Sequence, residues 1–130
     1  NIELNARDDR ELTALMWACY HGCTDIVKLL LDHSERIELN ARDNSGGTAF
    51  MWACYNGHKD VVQLLLEYSE RIELNARDDN GKTAFMDACK CGRKDVVQLL
   101  LEHSTDIDIT ISEYFSLSQE IRCIIGIHQR

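Results

Sequence analysis

Apolar positions recur along this chain in two alternating patterns, and the pair of patterns returns every 35 residues. Residues 40–74 show the unit most clearly. Ala49-Phe50-Met51-Trp52-Ala53-Cys54-Tyr55 is a dense apolar run, long enough for about two helical turns. Thr48 stands before it where an N-cap belongs, and Gly57 after it where a left-handed residue ends a helix. Val61, Val62, Leu64, Leu65 and Leu66 then give a second helix a wide apolar face. Asp60 falls in its first turn, beside the positive end of the helix dipole. Ile72 and Leu74 alternate with Glu73, as an extended segment does. Ahead of the first helix, Asp43-Asn44-Ser45-Gly46-Gly47 is dense in turn residues. The predicted order is turn, helix, turn, helix, extended loop.

This unit occurs three times in phase, over residues 5–39, 40–74 and 75–109. A period of this length marks modules that cannot bury their apolar faces alone and must stack. Ile2-Glu3-Leu4 matches Ile37-Glu38-Leu39, so the chain begins partway through a module. Either the sequence is part of a longer array or the array lacks an N-terminal cap, and the apolar side chains of the first copy, Leu15 among them, are expected to lie open at that end. After residue 109 the pattern fails. Ser116-Leu117-Ser118-Gln119 fits a capping box, and Leu117, Ile121, Ile124 and Ile125 share one helical face. These predict a capping helix over about residues 117–128, within a terminal segment of residues 110–130 that closes a single 130-residue domain.

Composition narrows the function classes. The net charge is −8 and is spread over all three copies, whereas a nucleic-acid partner requires a basic stripe. No apolar run approaches the roughly 20 residues of a membrane span. Three of the six cysteines, Cys19, Cys54 and Cys89, occupy one equivalent position. Neighbouring repeats hold such positions about 8–10 Å apart, beyond the reach of a disulfide. Reduced, buried thiols are therefore expected, and with them a reducing, cytoplasmic setting, the nucleus remaining open.

The first helices open with T-A-L-M-W-A at Thr13, T-A-F-M-W-A at Thr48 and T-A-F-M-D-A at Thr83. With the following G-H-K-D-V-V-x-L-L-L and the recurring N-A-x-D, the chain resembles the ankyrin-repeat family, whose pattern is T-P-L-H-x-A, over about residues 1–110. The resemblance implies an all-α solenoid of stacked helix-turn-helix units with hairpin-like turns. It departs from the family in four respects, the first being a period of 35 rather than the usual ~33 residues, with the extra two in residues 34–39 and their equivalents. Ala14, Ala49 and Ala84 replace proline, at little cost to a helix. Met16, Met51 and Met86 replace a histidine that ties down the turn in the family, so the turn must be held another way. Glu11 stands where Gly46 and Gly81 stand in the other copies, which is unfavourable if that position needs a positive φ.

In the family, turn tips and first helices line a concave face that grips protein partners. The second and third copies agree at 23 of 35 positions, and half of the differences fall on that face. Stacking turns equivalent positions into rows. The turn tips contribute Asp9, Asn44 and Asp79; Arg10, Ser45 and Asn80; and Leu12, Gly47 and Lys82. The first helices contribute Trp17, Trp52 and Asp87; Tyr20, Tyr55 and Lys90; and His21, Asn56 and Cys91. The expected site is an aromatic patch on the first two repeats beside a charged patch on the third. Aromatic side chains offer large contact area at low entropic cost. Trp17 and Trp52 are equally consistent with core packing between helices, whereas Tyr20 and Tyr55, near the helix ends, are expected to be exposed. Arg7, Arg42 and Arg77 either contact a partner or brace adjacent turns.

Cys89-Lys90-Cys91 with His103 invites a metal site, but C-x-C is not zinc-ligand spacing and no second pair follows. Cys91 beside Lys90 leaves a thiol-responsive module as an alternative. No nucleophile motif or phosphate-cradling loop is present. The expectation is a non-enzymatic module that binds a protein partner without metal or cofactor. The structural alternative is a spacer that self-associates through its N-terminal end.

Overall fold

The computed structural model describes residues 5–9, 11–103 and 107. Among the described residues six α-helices run in pairs: α1 (Ala14–His21) with α2 (Thr24–Leu31), α3 (Ala49–Tyr55) with α4 (Lys59–Leu66), and α5 (Ala84–Lys90) with α6 (Lys94–Glu102). The described residues contain no strand. First helices pack on first helices and second on second, so α1, α3 and α5 form one layer and α2, α4 and α6 the other. The expected helical capping segment of residues 110–130 lies outside the described residues, as does Arg10.

Each first helix starts at a buried threonine. Thr13, Thr48 and Thr83 accept hydrogen bonds from the backbone N–H of Met16, Met51 and Met86 through their hydroxyls. Such a cap contributes about 1 kcal/mol. The second helices carry Asp25, Asp60 and Asp95 in their first turns, as their spacing predicts. Leu15, Phe50 and Phe85 fill equivalent core positions, and Val27, Val62 and Val97 are fully buried with them. The extended segments alternate as predicted, with Ile72 and Leu74 buried and Glu73 exposed.

The structure corrects the expectation for Leu15, which is only 2% exposed. Its row belongs to the shared core of each helical pair rather than to an end face. Among the described residues, the open aliphatic side chains of the first repeat are instead Ile26, at 50%, and Leu29, at 59%. Val61 and Val96, which are equivalent to Ile26, are fully buried.

Adjacent repeats are tied by the same contacts at each junction. Arg7 donates to the carbonyl of Arg42 at 2.6 Å, and Arg42 to the carbonyl of Arg77 at 2.6 Å. Each of these arginines also reaches the carbonyl of its own turn, at Glu11 or Gly46. The arginine row therefore braces the turns. His58 Nε2 lies 2.8 Å from the carbonyl of Tyr20, and Arg93 Nε donates to the carbonyl of Tyr55 at 3.0 Å. A carbonyl can only accept, so His58 Nε2 carries the proton. These side chains satisfy the carbonyl ends of α1 and α3. Asn5 and Asn40 staple the extended segments by donating to the carbonyls of Arg36 and Arg71 and accepting from the N–H of Glu38 and Glu73.

Candidate binding groove

The turn ahead of α3 is built around one carboxylate. Asp43 Oδ1 accepts from the backbone N–H of Ser45 and Gly47, at 2.8 and 2.9 Å. Its other oxygen accepts the indole N–H of Trp52 at 2.8 Å. The first repeat repeats the arrangement: Asp8 accepts from the backbone N–H of Leu12 and from the indole of Trp17, also at 2.8 Å. Tryptophan therefore holds the turn from the side, where the family's histidine is replaced by methionine. Met86 adds a weak contact in the third repeat, its sulfur 3.5 Å from the N–H of Thr83. These contacts settle the tryptophan alternatives. Trp17 is 40% exposed and Trp52 is half-buried against the core, so each ring is both a brace and a surface.

Glycine is favoured at one position of this turn. Gly46 has φ 78° and Gly81 φ 76°, and Glu11 takes φ 64° at the equivalent place. The turn thus imposes a left-handed conformation that Glu11 adopts under strain.

The turn tips and first helices enclose two contiguous cavities. One, about 490 Å³, is lined by Leu12, Met16, Trp17, Tyr20, His21, Asp43, Asn44, Ser45 and Trp52. The next, about 750 Å³, shares Tyr20, Asp43, Ser45 and Trp52 with it and extends to Gly47, Tyr55, Asn80, Lys82, Asp87, Lys90 and Cys91. The shared residues make the two a single groove across the three repeats. Its aromatic wall is continuous: Tyr20 meets Trp52 edge-on with centroids 5.2 Å apart, and Trp52 meets Tyr55 at 6.2 Å. Tyr20 and Tyr55 are exposed, as their positions predict.

The remaining expected contact residues divide. Asp9 and Asp79 are exposed at turn tips but line neither cavity, and the N–H of Asp79 donates to the carbonyl of Ser45 at 3.0 Å. Asn56 is turned to its own helix, its amide donating to the carbonyl of Trp52 at 2.9 Å. Cys91, the thiol of the thiol-responsive alternative, is half-buried, because it caps α5 at the groove wall. Asp43, Met16, Met51 and Asp78 line the groove and were not among the expected site residues. Their identity in neighbouring copies marked them as scaffold. The usable signal was the nine-residue spacing from Asp8 to Trp17 and from Asp43 to Trp52, lost in the third copy.

In that copy the tryptophan is replaced by Asp87. Desolvation and then the Asp78 carboxylate push Asp87 up to about 6, against the opposing pull of Lys82 and Lys90. Burial also raises Cys19 and Cys54, keeping both as thiols rather than nucleophilic thiolates. Cys19, Cys23, Cys54 and Cys91 are free thiols. Among the described residues no group of three or more His, Cys, Asp or Glu side chains is placed to hold a metal ion. No helix among them is long and apolar enough to cross a membrane.

The family model for ankyrin repeats in three copies matches residues 1–78 and again 37–111. A comparison with curated proteins finds no match. Ankyrin repeats are generally protein–protein interaction modules and generally non-catalytic. Paired helices in two layers, threonine-capped first helices and a turn-lined groove agree with that match, and this chain belongs to the ankyrin-repeat family.

Proposed function

We propose that this chain binds a segment of a partner protein along the groove formed by α1, α3, α5 and the turns ahead of them. The observation that carries this reading is the aromatic wall of Trp17, Tyr20, Trp52 and Tyr55, which crosses the boundary between repeats on the face where the copies differ. Large, partly exposed rings in a concave site supply contact energy without much loss of side-chain entropy. The backbone beneath them is already fixed by the Asp–Trp bonds and the arginine row, so little ordering cost is added on binding. Lys82, Asp87 and Lys90 at the third repeat add charged groups that discriminate between partners.

Site-specific photo-cross-linking tests this. A photoreactive side chain at Tyr55, in the groove, is expected to capture protein adducts that the same group at Gln63, exposed on α4, does not. Adducts that arise equally from both positions, or only from Gln63, contradict the groove as the binding face.

A second reading rests on Ile26. Its equivalents Val61 and Val96 are covered, while Ile26 is half exposed and offers an apolar face on which another repeat, or a second copy of the chain, stacks. Light scattering across a concentration series tests self-stacking; a strict monomer throughout removes it.

A further inference from the structure

The end of the groove between α1 and α3 has a chemistry of its own. Its rings form a corner rather than a stack. Trp17 and Tyr20 meet at 61° with centroids 6.4 Å apart, and Tyr20 and Trp52 at 60° and 5.2 Å. His21 lies flat on Trp17 at 5.1 Å and 10°. Both indole edges are anchored, Trp17 by Asp8 and Trp52 by Asp43, so the walls are held in place before any ligand arrives.

Among the described residues, the Asp43 carboxylate is the charged group that lines this corner. Asp43 lines the cavity and Asp8 stands behind Trp17, whereas no Lys or Arg lines it among the described residues. The chain as a whole carries −8. Electron-rich faces and nearby carboxylates attract a cation, and aromatic corners do so most effectively when the cation sheds its water. The hydrogen-bonding balance limits which cation fits. Asp43 already accepts from Ser45 N–H, Gly47 N–H and the Trp52 indole. An ordinary ammonium would bring three N–H donors to a mostly apolar corner whose carboxylate is largely engaged, and leaving them unpaired is costly. A fully methylated ammonium brings the charge and apolar bulk with no donor to satisfy.

We propose that the cavity between α1 and α3 receives a methylated ammonium, carried as the side chain of a methylated lysine on the partner protein. This rests on the groove reading above and adds the chemistry recognised at one end of it. Trp17, Tyr20 and Trp52 furnish the faces, and Asp43 the compensating charge.

The two tryptophans of the chain both line this cavity, so intrinsic fluorescence reports on it directly. Three capped short peptides serve as probes: one with trimethyllysine, one with unmodified lysine, and one in which carbon replaces the quaternary nitrogen. The trimethyllysine peptide is expected to give a saturable change, with the other two at least about ten-fold weaker. Tyr20→Ala is expected to weaken it about ten-fold. Gln63→Ala, on the exposed face of α4 away from the groove, is expected to leave it within about two-fold. Equal binding of the uncharged peptide, equal binding of unmodified lysine, or no saturation overturns the assignment. The Tyr55 cross-linking does not depend on lysine methylation. Groove adducts without trimethyllysine binding would sink the ammonium site alone, whereas absence of groove adducts would sink the underlying reading.

Discussion

The indole N–H of Trp52 donates to Oδ2 of Asp43 at 2.8 Å, and the same carboxylate binds two backbone amides of the turn it closes. One side chain therefore couples the turn to the first helix and presents a ring to the groove. Trp52→Phe keeps most of the ring and removes the N–H. Because the pair is half-buried and one partner is charged, the loss is expected to be about 1 kcal/mol, read as a lower urea midpoint at unchanged slope. An unchanged midpoint would show that the bond does not hold the turn.

Glu11 occupies a left-handed position at φ 64°. Glu11→Gly relieves that strain, although it also removes the 3.7 Å ion pair with Arg7, an exposed contact of little weight. A net gain of about 0.5–1 kcal/mol in urea unfolding is expected. The reverse experiment, Gly46→Ala, places a Cβ 2.6 Å from Asp79 Oδ1 and 2.9 Å from its backbone nitrogen, and is expected to destabilise. A loss of stability in Glu11→Gly would contradict the strain.

Much of this was legible in the sequence, for identifiable reasons. The threonine caps, the left-handed position at Gly46 and the alternation around Glu73 depend on local backbone chemistry, which acts the same way in every copy. The exposure of Tyr20 and Tyr55 followed from their place at the helix ends. What did not follow was set by packing between elements. Leu15 was read as open because it lies in the first copy, but its row faces the core, and Ile26 faces outward instead. The partnership of Asp43 with Trp52 crosses from a turn to a helix, so helical spacing could not reveal it. The sequence also could not place the half-burial of Cys91, which depends on how α5 ends at the groove.

Asp87 gives the third repeat a pH-dependent stability. Its carboxyl is raised from 3.8 to about 6, first by desolvation and then by Asp78. A carboxyl that binds its proton more tightly when folded favours the folded state when protonated. That contribution is complete below about pH 4 and is lost as pH rises through about 6. Asp87→Asn is therefore expected to be more stable than the parent at pH 7.5, by about 1 kcal/mol after allowance for solvent screening, or roughly 2–5 °C in Tm. The gap should narrow towards pH 4.5. A constant gap across this range would show that Asp87 does not titrate as described.

The central claim is that the varied aromatic face, rather than the repeated scaffold, holds the partner. The direct measurement is the affinity of the partner identified by cross-linking, for the parent, for Tyr20→Ala/Tyr55→Ala and for the control Gln63→Ala/Gln98→Ala on the exposed faces of α4 and α6. Both tyrosines are more than 40% exposed, so their removal should leave Tm nearly unchanged. The tyrosine pair is expected to weaken binding about 10- to 100-fold and the glutamine pair by less than about two-fold. Equal affinity for the parent and the tyrosine variant, with both folded, would contradict the account.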